Sequence, residues 1–153
     1  MNLPETANMR HFSLIALVSG LVYLGSASAN TDVKRWPHEI IDAMDGQRLV
    51  LFLKDADIAA SPPWHPAEDA KPPMTIAEAL SRLKAWMAKD ARYQGAVVHE
   101  IELKPIQEHE QENRWYFLFQ LRKREGERIK ARYVAVMFNG TIVPVLAEPE
   151  PIK

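Results

Sequence analysis

From residue 97 to residue 146 apolar side chains return at every second position, interrupted only by short turns, and that period of two commits this half of the chain to antiparallel strands. Val97, His99, Ile101 and Leu103 alternate with Val98, Glu100, Glu102 and Lys104. Trp115, Phe117, Phe119 and Leu121 mark a second strand, and Ile129, Ala131, Tyr133, Ala135 and Met137 a third. The chain reverses at Glu125-Gly126-Glu127 and again at Asn139-Gly140, a strong hairpin signal. Residues 141–146 then form a last strand, which Pro144, having no amide hydrogen, places at an edge.

Upstream, Thr75-Ile76-Ala77-Glu78 is a capping box, and Ile76, Leu80, Leu83 and Met87 follow at helical spacing, with Ala79 and Trp86 widening the stripe. The helix is expected to run to about residue 90. Before it, residues 55–73 hold five prolines (Pro62, Pro63, Pro66, Pro72 and Pro73) and read as a stiff loop, with Trp64 either plugging the domain edge or forming a ligand-contacting tip. The run Arg48-Leu49-Val50-Leu51-Phe52-Leu53 has strand length, and residues 38–44 read as weakly helical. The expected fold class is therefore α+β: one helix packed on a four- to five-stranded antiparallel meander sheet.

The N-terminus predicts export. Residues 12–24 are uncharged and apolar, follow Arg10 and His11, and lead into Ala27-Ser28-Ala29, the order of a secretory signal peptide with cleavage after Ala29. The apolar stretch is shorter than the roughly 20 residues a spanning helix needs, so no stable membrane insertion is expected after cleavage. Met9-Arg10-His11 makes a better-formed start than Met1, and either start leaves the same mature product. The expected organisation is a signal peptide over residues 1–29, a lead-in over 30–46, one α+β domain over 47–147 and a short tail over 148–153, in the periplasm or secreted. With no cysteine there is neither a disulfide framework nor a lipid-anchoring thiol, and a formal net charge of -1 gives no overall pull toward nucleic acid or an anionic membrane.

The order of elements resembles the cystatin-like roll, and residues 75–145 resemble the PepSY-type domains of exported bacterial proteins. The resemblance rests on Thr75-Ile76-Ala77-Glu78-Ala79, on Val97-Val98-His99-Glu100-Ile101-Glu102-Leu103, on Trp115-Tyr116-Phe117-Leu118-Phe119 and on Asn139-Gly140-Thr141-Ile142-Val143. It implies a binding or inhibitory module without catalytic residues. Where protease-inhibiting cystatins carry Gln-x-Val-x-Gly, this chain has Gln107-Glu108-His109-Glu110-Gln111, which does not support that inhibition.

No spacing of reactive groups points to catalysis or to a cofactor. His65 with Glu68 and Asp69, and His109 between Glu108 and Glu110, lack the helical spacing that fixes metal ligands, and Ser61 and Ser81 have no nucleophile elbow around them. His99 reads as a sheet histidine. The basic residues Arg122, Lys123, Arg124, Arg128, Lys130 and Arg132 read as cross-strand partners of acidic neighbours, with Arg122 opposite Lys130.

The same register sets Tyr116 beside Val136 and Leu118 beside Val134, with Val143 and Val145 continuing the row, all opposite in parity to a core of Trp115, Phe117, Phe119, Tyr133 and Met137. Such a row is either an exposed interaction surface for a protein, a peptide or a second copy, or the seat of the lead-in bearing Trp36, Ile40 and Ile41. On the first reading lysine is tolerated at Val134 and Val143. The function expected is an exported non-enzymatic module recognising a protein or peptide through the outer face or exposed edge of its sheet. The alternative is a small-ligand carrier with a pocket between helix and sheet near Trp86, Trp115 and Tyr133, which the bulk of Leu80, Leu83, Phe117 and Phe119 disfavours.

Overall fold

The computed structural model describes residues 38–43 and 46–148, all within one unit spanning Val33–Lys153. The expected signal segment, Trp36, Met44, Asp45 and residues 149–153 lie outside the described residues.

Among the described residues seven strands, two α-helices and a short 3-10 turn follow one another. β1 (Glu39–Asp42) and β2 (Arg48–Leu51) come first, then α1 (Asp55–Ala60) and α2 (Ile76–Met87). β3 (Val97–Pro105), β4 (Trp115–Glu125) and β5 (Arg128–Met137) form the long meander, closed by β6 (Ile142–Pro144) and β7 (Leu146–Ala147). They make two antiparallel sheets, one of order β1-β2-β7 and one of order β3-β4-β5-β6.

A single helix on a single meander is therefore not the architecture. The four-stranded sheet is covered on one face by α2 and on the other by the three-stranded sheet, so the order of layers is helix, sheet, sheet. Under α2 the cluster holds Ala79, Leu83 and Met87 against Phe117, Phe119, Leu121, Val134 and Val136. On the opposite face Leu49, Leu51, Leu53 and Ile58 meet Tyr116, Leu118, Tyr133, Ala135 and Met137. The second layer exists because residues 38–42 are extended rather than helical: the His38 amide donates to the Leu51 carbonyl at 2.8 Å, and Ile40 pairs with Val50. The stretch after β2 also differs from the expected loop, since Asp55–Ala60 makes one helical turn and a half that buries Ile58 before the prolines begin.

The last strand joins the layers. Ile142–Pro144 pairs with β5 and Leu146–Ala147 pairs with β2, so one short segment crosses between sheets at Val145. Pro144 lies on an edge strand, where its missing donor costs no ladder bond. The α2 capping box is present as expected: the Glu78 amide donates to the Thr75 hydroxyl and the Thr75 amide to the Glu78 carboxylate.

Both hairpin turns differ by one residue from the expected register. Glu125 pairs with Arg128, leaving the two-residue loop Gly126-Glu127 with Gly126 at φ 65, the glycine-first form that suits the twist of the strands. At the other end the Met137 amide donates to the Thr141 carbonyl across a three-residue loop that ends on Gly140 at φ 90. A Cβ on Gly140 would sit 2.7 Å from an Arg82 guanidinium nitrogen, so both the φ and the space require glycine. The expected register lengthens the first loop by one residue and shortens the second by one. One step of slip turns every side chain of a strand to the other face, so β5 is inverted, while the two slips add to two residues between β4 and β6 and leave the facing of β6 as expected.

Candidate functional site

That inversion decides the expected apolar row. Tyr116, Leu118, Val143 and Val145 do share a face, but Tyr116 pairs with Met137 and Leu118 with Ala135. Val134 and Val136 lie on the helix side, opposite Phe119 and Phe117. Neither group forms an exposed patch: Tyr116 and Leu118 are 2% exposed, Val134 and Val136 are fully buried, and Val143 and Val145 are partly buried against the three-stranded sheet. Of the lead-in, Ile41 packs on this face while Ile40 stays exposed. Tyr133 and Met137, expected under the helix, belong to the inter-sheet layer, so Trp86, Trp115 and Tyr133 do not share a pocket.

Trp64 is half-buried. Its ring meets Trp115 edge-on at 5.6 Å and Phe138 at 6.2 Å, while its carbonyl accepts from the Trp115 indole at 3.0 Å. It closes the rim of the α2 layer and is not a free tip. His65 holds Asp69 within an exposed loop, and His109 holds Glu112 at 2.8 Å. His99 is exposed at an irregularity between Val98 and Glu100 where β3 slips against β4. Arg122 pairs with Ala131, and the residue opposite Lys130 is Lys123, whose ammonium donates to the Ala91 carbonyl at 3.1 Å.

The most polar interior feature is one the sequence did not single out. Glu39 on β1 is 7% exposed and accepts from both the Tyr116 hydroxyl and the Lys104 ammonium. Burial, then the hydrogen bond to the Glu39 carboxylate, push the Tyr116 phenol far above its ordinary range. The Lys104 side chain and the Tyr116 hydroxyl, both on the Glu39 carboxylate, make a clamp between the two sheets. Sequence offers no sign of it, because Glu39 lies 65 residues from Lys104 and 77 from Tyr116.

The exposed feature with recognisable chemistry is β3. It runs nine residues, has a single neighbour, and forms one edge of the four-stranded sheet among the described residues. Beyond its end the Ile106 amide donates to the Arg114 carbonyl at 2.9 Å, which fixes the alternation: Lys104, Glu102 and Glu100 direct their backbone groups to β4. Ile101 and Leu103 therefore direct their N–H and C=O groups outward, and Pro105 its carbonyl. Their side chains lie on the α2 side, with Leu103 39% exposed, while Glu100 and Glu102 stand exposed on the other face.

Comparison with protein-family models, with curated proteins and with solved structures found no match to this chain. The function must therefore be argued from these surfaces.

Proposed function

We propose that the chain is an exported, non-enzymatic binding module that recognises an extended segment of a partner protein by adding it as a strand beside β3. The observation that carries the reading is the outward row of backbone donors and acceptors at Ile101, Leu103 and Pro105 on a long edge. Exposed edges of this kind are normally shortened, bulged or charged against association. Here the irregularity at His99 blunts only the start, and the stretch from Glu100 to Pro105 is regular. Backbone pairing supplies affinity in strand addition and alternate side chains supply selectivity. The chemistry beside β3 selects a segment with apolar residues toward Leu103 and lysine or arginine toward Glu100 and Glu102.

The test uses a six-residue peptide alternating Val and Lys, with a Val and Glu peptide as control. Leu103→Pro removes an outward donor while leaving the bonds to β4 intact, so it is expected to stay folded and to lose the Val and Lys peptide at least tenfold. Equal binding of the two peptides, or full binding by a folded Leu103→Pro variant, contradicts the proposal.

A further inference from the structure

The ladder between β5 and the returning strand opens before β5 ends. The Val145 amide donates to the Tyr133 carbonyl at 3.0 Å, and the next pair in that register is Ala131 with Ala147. These two are not ladder partners, because Leu146–Ala147 has turned to pair with β2, where Ala147 lies opposite Leu49. A cavity of about 260 Å³ occupies the opening, bordered by both alanines. By the alternation of an antiparallel ladder, the backbone groups of Ala131 point into it.

The rim of the cavity is cationic. Arg92, Lys130 and Arg132 border it, and among the described residues no carboxylate does. Asp90 holds Arg92 at 2.6 Å, and Glu125 holds Arg132 at 2.9 Å and Lys130 at 3.8 Å, so among the described residues three cations at the rim meet two carboxylates. The Arg132 Nε is buried with no partner among the described residues. Both guanidiniums lie over the Tyr93 ring, at 5.6 and 5.8 Å from its centroid, so their positions are fixed by packing as well as by charge.

A split ladder offers main-chain pairing, and that excess of one cation with an idle guanidinium donor fits a single carboxylate. We propose that this cavity takes the carboxyl-terminal two residues of a peptide, extended between β5 and β7, with the terminal carboxylate on Arg132 and Arg92. The size agrees, since two extended residues span about 7 Å and the cavity lies just below the range of pockets that enclose drug-sized ligands. The site is distinct from the β3 edge, and neither proposal depends on the other.

The experiment titrates the isotope-labelled full chain with N-acetyl-glycyl-alanine as the free acid, as its carboxamide, and with acetate alone. The free acid is expected to shift the amides of Ala131, Ala147 and Val145 and to bind at least tenfold more tightly than the carboxamide. Arg132→Gln and Arg92→Gln, each checked by a thermal melt, are expected to weaken the free acid and leave any carboxamide binding unchanged. Acetate shifting the same amides as strongly as the peptide acid overturns the assignment to a peptide end. So does equal binding of acid and carboxamide, binding unaffected by both arginine variants, or a response confined to β3.

Discussion

The Tyr116 hydroxyl donates to Glu39, and that bond fastens the middle of the four-stranded sheet to the first strand of the three-stranded one. Lys104 reaches the same carboxylate from β3. Glu39→Ala leaves a buried phenol and an ammonium without their acceptor and is expected to cost about 3 kcal/mol in chemical denaturation. A loss below about 0.5 kcal/mol would show the clamp to be incidental.

The same bond sets an alkaline limit. The Tyr116 phenol is raised in the folded chain, so its contribution is fully present below the unfolded value of 10.0 and is lost as pH rises beyond it. Stability should fall above pH 10 by up to about 1.4 kcal/mol per pH unit from this group. Tyr116→Phe should flatten the decline, and an unchanged slope would contradict the assignment.

Val134 is fully buried beneath α2 opposite Phe119. Val134→Lys is therefore expected to unfold the domain or cost several kcal/mol, whereas Ile129→Lys, on the same strand but 61% exposed, should change stability by less than about 0.5 kcal/mol. Thermal melts of the two variants separate the observed register from the one expected from sequence, which treats Val134 as surface.

At the start of α2, Thr75→Ala removes the cap and should cost about 1 kcal/mol. The Thr75 amide and hydroxyl hold the Glu78 carboxyl below its ordinary value, so this end of the helix is supported above pH 4.5 and loses that support as pH falls through the lowered folded value. The acid limb of the stability curve should lose part of its steepness in Thr75→Ala.

What the sequence made legible was local. Thr75 and Glu78 sit three apart, the stripe through Leu83 and Met87 has helical period, and Pro144 can serve only an edge, so α2 and the edge position of β6 follow from neighbouring residues. The second sheet did not, because Glu39–Asp42 becomes a strand only through pairing with β2, and the small apolar set of residues 38–43 carries no clear period. Nor did the facing of β5. Gly126 allows either a two- or a three-residue loop, as does Gly140, and the choice rests on which residue takes positive φ. With β5 inverted, the supposed outer row became two buried layers, and the surface left for recognition moved to the strand edge. Arg92 and Arg132 were likewise out of reach, since a loop residue and a strand residue 40 positions apart meet only over the Tyr93 ring.

Hydrogen exchange at two amides tests the central claim most directly. In the free chain the Ile101 and Leu103 amides, directed away from β4, should exchange rapidly, while those of Glu100, Glu102 and Lys104 stay protected. On adding the Val and Lys peptide, Ile101 and Leu103 should become protected together. Protection of Ile101 and Leu103 already in the free chain, or no change on saturation with the peptide, would contradict strand addition at β3.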